Sequence, residues 1–88
     1  MNRLGLGRGV AVIDDGTVIY AAALPDGPIV VLEEGAAAIW VEACRGDRAT
    51  IAERLVDGTD VPADEIRDNV EVFLERMIRA GLLREHPA

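Results

Sequence analysis

The side chains that most often carry catalysis are scarce in this sequence. It has one cysteine (Cys44), one histidine (His86) and no serine. A thiol becomes a nucleophile when a neighbouring base or cation stabilises its thiolate. His86 sits two residues from the C-terminus and Cys44 in mid-chain, so no Cys–His pair is legible. Cys44 reads as a structural thiol on the inner or rear edge of a helix. Asp14-Asp15 and the pair Asp57 and Asp60 have too few oxygen donors for a calcium loop, and aspartate is an ordinary turn residue. Glu71 and Glu75 lie four apart, the spacing of a solvated helix face. Gly5-Leu6-Gly7-Arg8-Gly9 lacks the preceding strand and the full spacing of a phosphate loop. These patterns assign no catalytic residue, no metal and no cofactor. The chain is expected to be a binding module and not an enzyme.

The bulk composition narrows what it could bind. Eighty-eight residues make one small domain, and half of them are hydrophobic. The formal charge of −7 opposes nucleic acid and anionic membrane surfaces. A single cysteine leaves no internal disulfide and fits a reducing cytoplasm. No long apolar run marks a signal peptide or a membrane span. Arg45-Gly46-Asp47 reads as a helix-ending loop and not as an adhesion motif.

The elements that must position a site follow from turn and periodicity signals. Residues 1–9 are glycine-rich and expected to be a flexible arm. Val10 to Ile13 forms a strand, Asp14-Asp15-Gly16 a hairpin turn, and Thr17 to Leu24 the return strand. Pro25-Asp26-Gly27 turns the chain again into a third strand, Pro28 to Leu32. Apolar residues on both faces of these strands imply that something covers part of the second face, although small alanines such as Ala21 and Ala23 tolerate exposure. A helix follows from about Glu34 to Cys44, with Trp40 as the largest core candidate. Thr50-Ile51-Ala52-Glu53 has the form of a capping box opening a second helix. A third helix begins near Pro62, carries Ile66, Val70, Phe73, Leu74 and Met77 as its apolar stripe, and stops at Gly81. Leu82-Leu83 packs back towards the sheet, and residues 85–88, including His86, are expected to fray. The expectation is an α+β domain over residues 10–84, a three-stranded antiparallel meander followed by three helices (βββααα), with winged helix-turn-helix proportions.

Such an outline raises DNA binding, but the third helix is net acidic and the hairpin tip is Asp14-Asp15-Gly16. The third strand points elsewhere. Pro28, Ile29, Val30, Val31 and Leu32 are apolar throughout, and the outermost strand of a meander has an unpaired edge. A guest strand can pair with such an edge through main-chain hydrogen bonds. Those bonds are worth only about 0.5–1.5 kcal/mol each, so apolar pockets must add to them. The third helix is the natural second wall, with Asn69, Val72 and Arg76 on the flank of its stripe. Arg67, Arg76 and Arg79 could hold acidic groups of a guest, although pairs such as Arg67–Glu71 and Glu75–Arg79 account for these charges more simply.

Leu24-Pro25-Asp26-Gly27, then Val31-Leu32-Glu33-Glu34-Gly35-Ala36-Ala37-Ala38-Ile39-Trp40, then Asp68-Asn69-Val70 with Phe73-Leu74, then Ala80-Gly81-Leu82-Leu83, resemble the PqqD-like family in order and spacing from about Val10 to Leu83. These are small recognition domains for ribosomally made, post-translationally modified peptides. The resemblance implies a winged-helix-like fold that does not bind DNA. It implies a precursor's leader peptide added as a strand to the third strand, in a groove lined by Pro28–Leu32 and by Asn69, Val72, Phe73 and Arg76. It further implies a maturation enzyme as second partner, such as a radical SAM enzyme, a peptidase or a cyclase, to which a stand-alone chaperone or adaptor presents its substrate. Ala36 stands where the family often has Thr or Ser, so the first helix is expected to be capped more weakly. An acidic winged-helix regulator or general interaction adaptor is the alternative, and a minor enzyme subunit a third. A free edge can also pair with its own copy to give a homodimer.

Overall fold

Turn chemistry sets the sheet. In the computed structural model, which describes residues 2–87, Asp15 Oδ1 accepts hydrogen bonds from the backbone N–H of Thr17 (3.0 Å) and Val18 (2.8 Å) and from the Thr17 hydroxyl. These donors hold its carboxyl below the ordinary value. Gly16 takes a positive φ of 100°, the conformation that Asp-Gly offers a hairpin. The flanking segments β2 (Val10–Asp14) and β3 (Val18–Ala23) pair antiparallel, and β3 pairs with β4 (Val30–Glu33), giving the order β2-β3-β4. The helices α1 (Glu34–Ala43), α2 (Ile51–Val56) and α3 (Ala63–Arg79) follow. The α+β order of meander and then helices is as expected from the sequence.

The ends differ from the expectation. Residues 1–9 contain a strand, β1 (Asn2–Leu6), which pairs antiparallel with β5 (Leu83–Pro87), so neither a free arm nor a frayed tail is seen at these positions. Leu4 and Leu83 are buried in this ribbon, and their burial outweighs the glycine content that argued for mobility. Gly7 is needed where the ribbon meets α3. Its N–H donates to Leu82 O, and a Cβ on it would strike the Gly81 carbonyl. His86 stands opposite Arg3 in the ribbon, and Arg3 also bridges to Asp47, which fixes the Arg45-Gly46-Asp47 turn.

One core joins the layers. Ile19, Ala21 and Leu32 from the inner face of the sheet meet Trp40, Ala43, Ile51, Val70, Leu74, Met77, Leu82 and Leu83. The expected capping box is absent. Arg48–Thr50 is a short 3-10 turn, the Thr50 hydroxyl bonds to Asp47 O and receives Arg54, and Glu53 pairs with Arg67 at 2.6 Å. Charged neighbours thus took both capping groups. Cys44 lies exposed just beyond α1 and not on an inner edge. Partial desolvation of its sulfur raises the thiol pKa, which disfavours the thiolate.

The junction of β4 and α1 is strained. Glu34 has a φ of 50°, although Gly35 is its neighbour and α1 has no side-chain cap. A side chain in the left-handed region costs roughly 1 kcal/mol. Replacing Glu34 by glycine should therefore stabilise the domain by up to about 0.5 kcal/mol after the entropy lost with glycine. Urea unfolding measures this, and a variant of unchanged or lower stability would mean that the junction is relaxed.

Candidate functional site

The free edge can be located atom by atom. Asp15 N–H donates to Val18 O and Leu24 N–H to Gly9 O. These two bonds fix which pairs of the β2–β3 ladder are hydrogen-bonded, and alternation does the rest. Val18, Tyr20 and Ala22 turn their backbone groups to β2, whereas Ile19 and Ala21 turn theirs to β4. In the β3–β4 register Ile19 faces Leu32 and Ala21 faces Val30. Val30 and Leu32 are therefore bonded within the sheet. The N–H and C=O of Val31, together with the flanking groups of Ile29 and Glu33, point out from the edge. No strand of the described residues pairs with that side of β4.

Side chains alternate on the same frame. Leu32 is 3 % exposed and belongs to the core. Val30 is half-buried beside it. Val31 lies opposite Tyr20, which lies opposite Ile13, on the outer face of the sheet. It is 50 % exposed. The Val31 side chain thus stands away from the helices, and its backbone is what it offers the edge. Pro28 and Ile29 precede β4 in the structure, and Ile29 is 70 % exposed. The apolar surplus on the second face is real: Ile13, Tyr20, Leu24 and Ile29 border a shallow hollow of about 190 Å³ there.

Helix α3 approaches β4 at its C-terminal end and α1 at its start. Near its end, Ala80 shares a small cavity with Pro28 and Val30. Near its start, Ile66, Asn69, Val70 and Phe73 face Gly35, Ala36, Ala38, Ile39 and Leu55 across an apolar groove of about 460 Å³. Helical spacing puts Asn69, Phe73, Arg76 and Ala80 on one line and Glu65 and Val72 on its outer rim. Val72 is 56 % exposed. Of the residues expected from the sequence, Asn69 and Phe73 line this groove, Pro28 and Val30 line the separate small cavity at Ala80, and Val72 and Arg76 line neither. The sequence reading missed the α1 wall. Its signal was the run Gly35-Ala36-Ala37-Ala38, whose small side chains leave the groove open.

Several of the remaining charges are taken up in ion pairs. Arg67 binds Glu53 and Asp64, and Arg54 binds Glu42. The expected pairs Arg67–Glu71 and Glu75–Arg79 do not form. Glu71 and Glu75 instead share Arg48, so they are not a merely solvated face. Among the described residues no group of three or more His, Cys, Asp or Glu could hold a metal ion, and no helix is long and apolar enough to cross a membrane.

The family model described as coenzyme PQQ synthesis protein D (PqqD) matches residues 11–83, from the first hairpin strand to the start of β5. This chain belongs to the PqqD family. That membership makes it an accessory protein in the biosynthesis of a ribosomally made, modified peptide. The matched span contains the edge and both groove walls. No curated protein and no solved structure matches the chain significantly.

Proposed function

We propose that this PqqD-family protein binds the leader segment of a precursor peptide as a fourth strand on β4 and presents it to a maturation enzyme. The observation that carries this reading is the unpaired backbone of Val31 on a strand that leads directly into α1, one wall of the apolar groove. A guest antiparallel to β4 continues an all-antiparallel sheet, the slightly stronger pairing. Val31, Glu33 and Ile29 supply three or four hydrogen bonds at about 0.5–1.5 kcal/mol each. Guest residues opposite Val30 and Leu32 turn their side chains to the helix side. One or two Leu or Ile there, at about 1.5–3 kcal/mol apiece, add to these bonds against the cost of ordering the peptide. The leader should therefore carry apolar residues two apart.

The protein contributes a docking surface, and the bond-making groups sit on its partner, such as a radical SAM enzyme, a peptidase or a cyclase. A cytoplasmic location goes with that role. Titration of a labelled leader peptide, followed by amide shifts, tests the proposal. The largest shifts are expected at Ile29–Glu33 and at Asn69–Phe73. Shifts confined to other surfaces, or dimerisation through β4 that peptide cannot displace, would refute it.

A further inference from the structure

We infer that the groove is electrically polar along its length and selects a leader with a basic residue towards its N-terminal side and an acidic residue towards its C-terminal side. This rests on the strand-addition reading above. At the end where β4 enters α1 stand Glu33 and Glu34, both exposed, beside Gly35, which shares the groove with Ile66, the neighbour of the exposed Glu65 on α3. At the other end Arg76 lies on the line of α3 that reaches Ala80, next to Pro28 and Val30. The acids Glu42, Glu53, Glu71 and Glu75 are in ion pairs, as are Arg45, Arg48, Arg54 and Arg67. Glu33, Glu34, Glu65 and Arg76 enter none of these pairs and remain available at the groove.

The backbone supports the same view. Glu34 occupies a left-handed conformation that the adjacent Gly35 could adopt without strain, so a carboxylate is held at this place at a conformational cost. The positive end of α1 lies here too, but it amounts to about half a charge, and Glu33 and Glu34 outweigh it. Polarity then fixes direction. A guest antiparallel to β4 begins near Glu33 and Glu34 and finishes near Arg76. Glu65 and Arg76 are eleven residues apart on one helix, about 16 Å at 1.5 Å per residue. An extended peptide covers that distance in about five residues. The recognised segment should be a Lys or Arg, an alternating apolar stretch, and an Asp or Glu about five positions on.

The probes are two fluorescein-labelled peptides of ~10 residues with the same alternating Val, Leu and Thr centre. One carries Lys before and Glu after the centre, and its twin has the two exchanged. At low ionic strength the Lys-first peptide should bind about tenfold tighter, since exposed pairs at both ends change from attraction to repulsion. The preference should shrink in high salt, and the variant Glu33→Lys/Glu34→Lys/Arg76→Glu, which leaves one end net positive and the other negative, should favour the twin. Equal affinities for the wild-type protein would overturn the polarity while leaving strand addition standing. Preference for the Glu-first peptide would overturn the antiparallel direction. Failure of both peptides to bind would overturn strand addition and this inference with it.

Discussion

Val31→Pro should fold normally and lose leader binding by at least tenfold. Proline removes a backbone donor and fills the space in front of it with its ring. At most strand positions this breaks the ladder. At Val31 the lost N–H is the one directed out of the sheet, because the bonds from β3 go to Val30 and Leu32. Proline is tolerated at such outward-facing edge positions, and Val30, the residue before it, is already extended, as proline requires. Stability should therefore change by no more than about 1 kcal/mol. The guest strand loses a donor and meets the ring, a penalty of roughly 1–3 kcal/mol and hence about 10- to 100-fold in affinity. Val30→Pro is the control. It removes a bond to β3 next to the core and should cost about 3 kcal/mol of stability. A Val31→Pro protein that binds leader like the wild type would show that the edge of β4 is not the site. Val31→Asp is a weaker test, because that side chain stands on the outer face with Tyr20.

The contrast between those two variants shows how far the sequence could be read. The meander and the helix order were legible because they rest on local chemistry: Asp-Gly at the hairpin, proline before a helix, and apolar steps of three and four through Val70, Leu74 and Met77. That the third strand has an exposed side was also legible, since a meander must end somewhere. Which atoms of that strand face out was not, because it depends on the parity set by Gly9, Asp15, Val18 and Leu24. The β1–β5 ribbon was hidden for a related reason. Asn2–Leu6 has no β-branched or aromatic residue to mark it as a strand, and only pairing with the far end of the chain makes it one. The charge pairs failed most plainly. Spacing along α3 matched Arg67 to Glu71, whereas the fold supplied better-placed partners from other elements.

One of those partners gives the second large effect. Arg48 should be worth about 2–3 kcal/mol, so Arg48→Met should lower the melting temperature by roughly 10–15 °C. Its guanidinium reaches Glu71 at 2.7 Å, Glu75 at 2.9 Å and Glu85 at 2.9 Å, and its side chain is only 15 % exposed. The hydrogen bond to Glu71 leads the influences that raise its pKa above the ordinary arginine value, against the burial that would lower it, so it stays charged at every practical pH. An isolated exposed pair would contribute little. Here one planar group ties α3, β5 and the 3-10 turn before α2, and its removal leaves three carboxylates facing one another in a chain of charge −7.

Three measurements separate this clamp from lost packing alone. Arg48→Lys should recover only part of the deficit, because an ammonium cannot fork between carboxylates. Glu71→Gln added to Arg48→Met should recover some stability by reducing the repulsion. Raising the salt concentration should narrow the gap to the wild type. Glu71 and Glu75 project from the side of α3 opposite Asn69 and Phe73, so folded Arg48→Met protein should bind leader with unchanged affinity, while amide exchange in β5 quickens first. A variant as stable as the wild type would reduce the cluster to surface decoration. A folded variant with weakened peptide binding would show that the two faces of α3 are coupled, and that the groove depends on the clamp behind it.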